Sequence, residues 1–170
     1  MNRIRFEILG VPQPKQSARF SGRIIGKKVS IHSYQKSSVV QKGKDMAWDI
    51  QSQIPEGFIP FDGPIGISGC YIFPPLSKFS KKKTQQIADG WKYYKATKPD
   101  LHDNLNKQLM DVMEGLVFTN DSRICRVEQF EKYYGMVPKT IIEVFELEDG
   151  TPPFKGISET KISIEAINVS

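Results

Sequence analysis

Asp100, Asp103, Asp111 and Asp121, with Lys107 among them, crowd into the stretch 98–122 around one amphipathic segment. Carboxylates gathered this way repel one another unless a cation sits among them. Hard divalent ions such as Mg²⁺ favour oxygen ligands, and enzymes that cut phosphodiesters build their sites from them. Two or three of these carboxylates plus water would supply the ligands. Lys107 could offset charge on the pentavalent phosphate or help position the attacking water. Each residue also has a purely structural reading. Asp100 or Asp103 could cap a helix, Asp111 could pair with Lys107, and Asp121 is an ordinary turn residue.

The element that must position these groups is a helix from about Asp103 to Glu114. Leu105, Leu109, Val112, Met113 and Leu116 form its buried stripe. Asp103, Lys107 and Asp111 recur at i, i+4 and i+8 on another face. Leu116, Val117 and Phe118 read as a short buried strand entering a turn at 119–122. If that turn packs beside the helix start, Asp100, Asp103 and Asp121 meet.

Charge is distributed unevenly around this centre. Residues 1–44 carry ten Lys or Arg against Glu7 alone, and residues 78–102 carry seven lysines against Asp89 and Asp100. Two basic blocks flanking an acidic cluster point to a phosphate-rich partner. Lys15, Arg19, Arg23, Lys81, Lys82 and Lys83 are the DNA-contact candidates. The first block reads as a hairpin over 17–33, its turn at Ser21-Gly22 or near 25–28. It is either a clamp on a DNA backbone or an exposed loop. Trp91, Tyr93 and Tyr94 stand between Lys92 and Lys95. Such aromatics can stack on splayed bases, but core or interface anchors are the commoner use.

The remaining elements follow from periodicity. Ile4, Phe6 and Ile8 alternate in a strand that Pro12 and Pro14 end. Residues 37–53 form a helix with Val39, Val40, Ala47, Trp48 and Ile50 as its apolar stripe. Ile65 to Phe73 is a strand. Ser80 caps a short helix that Gly90 stops. Strands from Ile124 to Lys132 and from Thr140 to Leu147 are expected to pair antiparallel through the loop at 135–138. The result is an α+β fold, one compact domain over 1–149 with a mixed β-sheet and helices packed against it. Residues 150–170 form a polar tail, an edge strand or a disordered arm.

At 170 residues the chain can bury a real core. Cys70 and Cys125 match no disulfide framework and no zinc spacing, and fit a reducing cytoplasm. No apolar run is long enough for a signal peptide or a membrane span. No phosphate-cradling glycine loop is present, and two long basic blocks exceed what a small phosphoesterase needs.

Lys98-Pro-Asp-Leu-His-Asp-Asn-Leu-Asn-Lys, Asp111-Val-Met and Gly115-Leu-Val-Phe-Thr-Asn-Asp-Ser-Arg-Ile together resemble the signature of the RusA family of Holliday junction resolvases. Val11-Pro-Gln-Pro-Lys-Gln with Arg19-Phe, and the Ser-Lys-Lys-Lys segment within 77–90, resemble its phage-type members. The likeness runs from about residue 3 to residue 148. It implies a homodimeric, Mg²⁺-dependent endodeoxyribonuclease, with Mn²⁺ as an alternative ion. Such an enzyme cuts four-way DNA junctions by paired symmetric nicks in recombination and repair. It needs no small-molecule cofactor and works in the cytoplasm of a bacterial cell, with a phage or prophage origin. By position, Asp100 and Asp103 match the first two motif aspartates, Lys107 the essential lysine and Asp121 the later metal-binding aspartate. Asn104 matches the asparagine beside the site and is grouped with the DNA contacts.

Two departures stand out. Leu101-His102 puts two residues, not one, between the first aspartates, so either a bulge absorbs His102 or a helical turn starts early. The later acidic pair is Asn120-Asp121, with the charge kept at Asp121. The competing readings are a catalytically silent DNA-binding module on the same fold and a nuclease for other branched DNA.

Overall fold

Apolar residues at every second position set the first strand. Ile4, Phe6 and Ile8 turn into the core, while Arg3, Arg5 and Leu9 face out of β1 (Arg3–Leu9). The computed structural model describes residues 2–14, 19–25, 28–34 and 37–150, with side chains over 2–14 and 40–150. β2 (Arg19–Ile25) and β3 (Lys28–Tyr34) form a two-stranded antiparallel sheet of their own. Their register pairs Ile25 with Lys28, which selects the second of the two expected turn positions. The tail over 151–170 lies outside the described residues.

α1 (Ser37–Gln53) has the expected bounds, and Ile50 of the expected stripe is buried, but Val40 and Trp48 of that stripe are not. Met46 and Ile50 make the buried contact, four residues apart on one side. Trp48, two residues from each, is turned away and is 72 % exposed. Val40 is exposed as well.

The main sheet runs β1-β7-β4-β6-β5, built further from β4 (Ile65–Phe73), β5 (Tyr93–Tyr94), β6 (Ile124–Tyr134) and β7 (Lys139–Glu146). β4 pairs parallel with β6 and antiparallel with β7. The expected β6–β7 pair is therefore corrected, because β4 lies between the two strands. The physical reason is β4 itself. Ile65, Ile67, Tyr71 and Phe73 are buried, and two glycines let the neighbouring strand close on it. A Cβ on Gly66 would stand 2.3 Å from the Phe145 ring, and one on Gly69 would stand 2.5 Å from the Ile141 carbonyl oxygen. The second contact is with backbone and cannot yield by a rotamer change. Gly69→Ala is expected to destabilise the protein by about 1–3 kcal/mol, read as a lower urea midpoint at unchanged slope. An unchanged midpoint would show that the sheet relaxes there.

The parallel β4–β6 pairing needs a crossover. It is supplied by α2 (Lys81–Ala88), β5, a π-helical turn (Leu101–Asn106) and α3 (Lys107–Met113). Ser80 caps α2 as expected, accepting the Lys83 N–H at 3.2 Å, and Gly90 takes a positive φ of 91° just beyond it. Leu105, Leu109 and Met113 bury the crossover helix, while Val112 and Leu116 are only half-buried. Val117 and Phe118 are fully buried, but 115–117 is a turn and Phe118 makes only isolated bridges, so 116–118 is not a strand. Gly115, at φ 78°, folds the chain back so that its N–H meets the Phe118 carbonyl. Phe61 offers a single bridge beside Phe118, too little edge for a strand. Among the described residues the architecture is α+β, a five-stranded mixed sheet and a separate two-stranded sheet with three α-helices.

Candidate active site

The acidic segment begins at a knot of hydrogen bonds. Asp100 is in extended conformation, and its Oδ1 accepts the N–H groups of His102 at 2.9 Å and Asp103 at 3.0 Å. Its backbone carbonyl accepts the Leu105 N–H at 3.2 Å, five residues on. The Lys107 N–H likewise reaches back to the His102 carbonyl. These wide-turn bonds make 101–106 a π-helical turn, a form that takes up one extra residue and often occurs at functional sites. Of the two expected ways to accommodate His102, the early helical turn is the one found.

Asp100 thus realises its capping role, and it holds Asp103 beside it at the helix start. The Asp103 N–H, chiefly, keeps the Asp100 carboxyl below the ordinary carboxylate range against an opposing desolvation, helped by the His102 N–H and the Lys132 ammonium. Asp103 is exposed, and so is Lys107, four residues on at the start of α3. His102 faces solvent, as a lone histidine is expected to. Asn104 is half-buried between them.

Asp121 opens a 3-10 turn (Asp121–Arg123) and is exposed. Its neighbour Asn120, which stands where the family signature has an acid, is structural. Its Oδ1 accepts the Ser122 N–H at 3.0 Å, and its amide donates to Glu114 Oε1 at 2.8 Å. Asp62 secures the same turn. It accepts from Thr119 Oγ1 at 2.6 Å and pairs with Arg123 at 2.9 Å. The Thr119 hydroxyl and then Arg123 hold the Asp62 carboxyl below its usual range. These hydrogen bonds tie the turn that carries Asp121 to the end of α3, whereas Asp100 and Asp103 sit at the helix start.

Among the described residues, no three His, Cys, Asp or Glu side chains form a group that could hold a metal ion by themselves. The donor chemistry nevertheless suits a hard cation. Asp100 and Asp103 offer exposed carboxylate oxygens at one helix start, and Mg²⁺ commonly takes one or two carboxylates and fills its shell with water and substrate phosphate, while the exposed Asp121 is carried on the turn tied to the end of α3. Asp100 and Asp103 therefore suit a hydrated divalent ion shared with the nucleic acid, not a closed protein cage.

Several supporting residues carry little sign of their role in the sequence. The buried Asn106 accepts the Tyr71 hydroxyl at 2.8 Å through Oδ1, which pins the helix to β4. Burial drives the Tyr71 phenol well above its ordinary pKa, so it remains a donor. Lys95, only 8 % exposed, donates to Thr97 Oγ1 at 2.7 Å, and Lys132 donates to the Thr97 and Pro99 carbonyls at 2.8 and 2.6 Å. An asparagine within an apolar stripe is the only signal for Asn106. Nothing in the spacing marks Lys132.

The basic candidates fall into three groups. Lys81 and Lys82 are exposed on the first turn of α2. Lys83 is half-buried, its Nζ 3.9 Å from the Phe79 ring centroid and 4.6 Å from that of Tyr93. Lys15 lies outside the described residues, and Arg19 and Arg23 are placed on β2 by backbone alone. Tyr93 is half-buried and bonds Gln86, as an anchor should, whereas Trp91 and Tyr94 are 62 % and 66 % exposed and anchor no core. Cys70 and Cys125 are free thiols, and Cys125 is exposed. No helix among the described residues is long and apolar enough to cross a membrane.

A family model described as Endodeoxyribonuclease RusA matches residues 10–145. No curated protein matches the sequence. The matched span takes in the basic hairpin, α2, the Asp100–Asp103 knot and the Asp121 turn, and it stops one residue short of the end of β7. The chain belongs to the RusA family of endodeoxyribonucleases, hydrolases of phosphodiester bonds that act on Holliday junctions.

Proposed function

We propose that this endodeoxyribonuclease resolves four-way junctions by paired symmetric nicks, with Asp100, Asp103 and Asp121 as its carboxylates and Lys107 as its catalytic cation. The observation that carries this reading is the Asp100–Asp103 knot. The fold presents two adjacent carboxylates at one helix start, with Lys107 a turn further on. A Mg²⁺ or Mn²⁺ ion bound with the scissile phosphate would supply Lewis-acid polarisation and a more acidic water. The chain's own part is to hold the phosphodiester against Asp103, and Lys107 offsets charge as it develops on phosphorus. Asp121, on a separately anchored turn, contributes from the side of the α3 end.

Two symmetric cuts call for two sites, so the working form is a homodimer with a twofold axis. Shape recognition at a junction rests on phosphate contacts rather than base edges. Lys81 and Lys82 suit this role. Lysines on the first turn of a helix oppose its dipole and repel one another, a cost that a bound phosphate reverses. Lys15, Arg19, Arg23, Lys83 and Asn104 complete the proposed DNA contacts. The nuclease domain spans 1–149 and the tail 150–170. The setting is DNA recombination and repair in a bacterial cytoplasm, on a phage or prophage genome.

Metal removal tests the chemistry. With EDTA the protein should still bind branched DNA but not cut it, and added Mg²⁺ or Mn²⁺ should restore cutting. Cleavage that persists in EDTA would exclude the metal from the reaction.

A further inference from the structure

We propose that Lys132 on β6 is a positioning residue for the cleavage reaction, fixing the loop that presents the Asp100 carboxylate. The proposal rests on the reading that Asp100 serves the reaction. Lys132 Nζ donates to the carbonyls of Thr97 and Pro99 at 2.8 and 2.6 Å, the two carbonyls that lead into Asp100. The strand holds the other end of the loop too, since the Lys95 N–H donates to the Lys132 carbonyl at 2.9 Å. Lys95 Nζ adds a third tie, to Thr97 Oγ1, from a place beside the Phe73 and Tyr134 rings. Residues 95–99 are thus secured from both sides before Asp100 turns back to cap the π-helical turn.

The same tie sets where the capping carboxylate sits. Pro99, whose carbonyl Lys132 holds, immediately precedes Asp100, and Asp100 Oδ1 in turn accepts the His102 and Asp103 N–H groups. Loss of the tie would free the segment that delivers that cap.

The test compares Lys132→Met, Lys132→Arg and Asp100→Asn in the full chain. It uses single-turnover cleavage of a four-way junction, junction affinity, and amide exchange of the His102 and Asp103 N–H groups without DNA. Lys132→Met should cut at least tenfold more slowly with affinity within twofold of wild type. Exchange at His102 and Asp103 should accelerate while the β4 and β7 amides stay protected. Lys132→Arg, which keeps charge and donors, should recover most of the rate. Wild-type cleavage by Lys132→Met, or unchanged exchange at those two amides, would overturn the proposal. If Lys132→Met unfolds the sheet, Lys132→Gln keeps a polar side chain that is too short to hold both carbonyls. A tenfold slower Gln variant supports the proposal, and one at the wild-type rate defeats it. Asp100→Asn separates the two levels. An active Asp100→Asn removes the reading beneath, whereas an inactive Asp100→Asn beside a fully active Lys132→Met removes only the role of Lys132.

Discussion

Asp103→Asn should bind a four-way junction as the wild type does and cut it at least about a hundredfold more slowly, the scale on which loss of one charged catalytic group is felt. The Asp103 side chain is exposed. What the fold uses is its backbone N–H, which the substitution leaves in place to meet the Asp100 carboxylate. Stability should therefore be unchanged, and a loss of rate reports chemistry alone. Asp121→Asn should behave alike, because Asn120 and Asp62, not Asp121, anchor its turn. Asp100 is different in kind. It is a cap as well as a carboxylate, but asparagine caps nearly as well as aspartate. Single-turnover cleavage beside equilibrium binding checks all three. Cleavage at the wild-type rate removes the substituted residue from the site.

Replacing Lys81, Lys82 and Lys83 together by alanine should weaken junction binding by roughly one to two orders of magnitude. It should also flatten the dependence of log affinity on log salt by about 0.9 for each phosphate no longer neutralised. The same substitution should leave the protein at least as stable. Alanine is the better helix former, and removing cations from the first turn of α2 relieves an unfavourable meeting with its dipole. Opposite signs for binding and stability are what a functional basic patch predicts. Lys83 is the partial exception, since it covers Phe79 and Tyr93, and Lys81→Ala with Lys82→Ala isolates the exposed pair. Affinity titrations at several salt concentrations, with a thermal melt, give both quantities. An unchanged salt slope would place the DNA elsewhere.

Much of this fold is legible in the sequence where a local signal has one physical meaning. Alternation at Ile4, Phe6 and Ile8 could only be a half-buried strand, and Ser80 and Gly90 bracket α2 by their own backbone chemistry. Strand order is not local. Two neighbouring strands joined by 135–138 look like a hairpin until Gly66 and Gly69 are seen to let β4 enter between them. The α1 face misleads because Trp48 is apolar but lies off the Met46–Ile50 side. At the site, the acidic segment is visible as composition and spacing. The π-helical turn is visible only as an extra residue, since a change from four- to five-residue bonding leaves no mark in residue types. The Lys132 tie joins residues far apart in sequence, and a lysine in a mixed strand carries no sign of it.

The central claim is most directly tested with a synthetic four-way junction and a linear duplex of the same arm sequence, each incubated with purified protein and Mg²⁺. Symmetric paired nicks on the junction, with the duplex intact, are the predicted result. Equal cutting of both substrates, or tight junction binding with no metal-dependent nick, would contradict it.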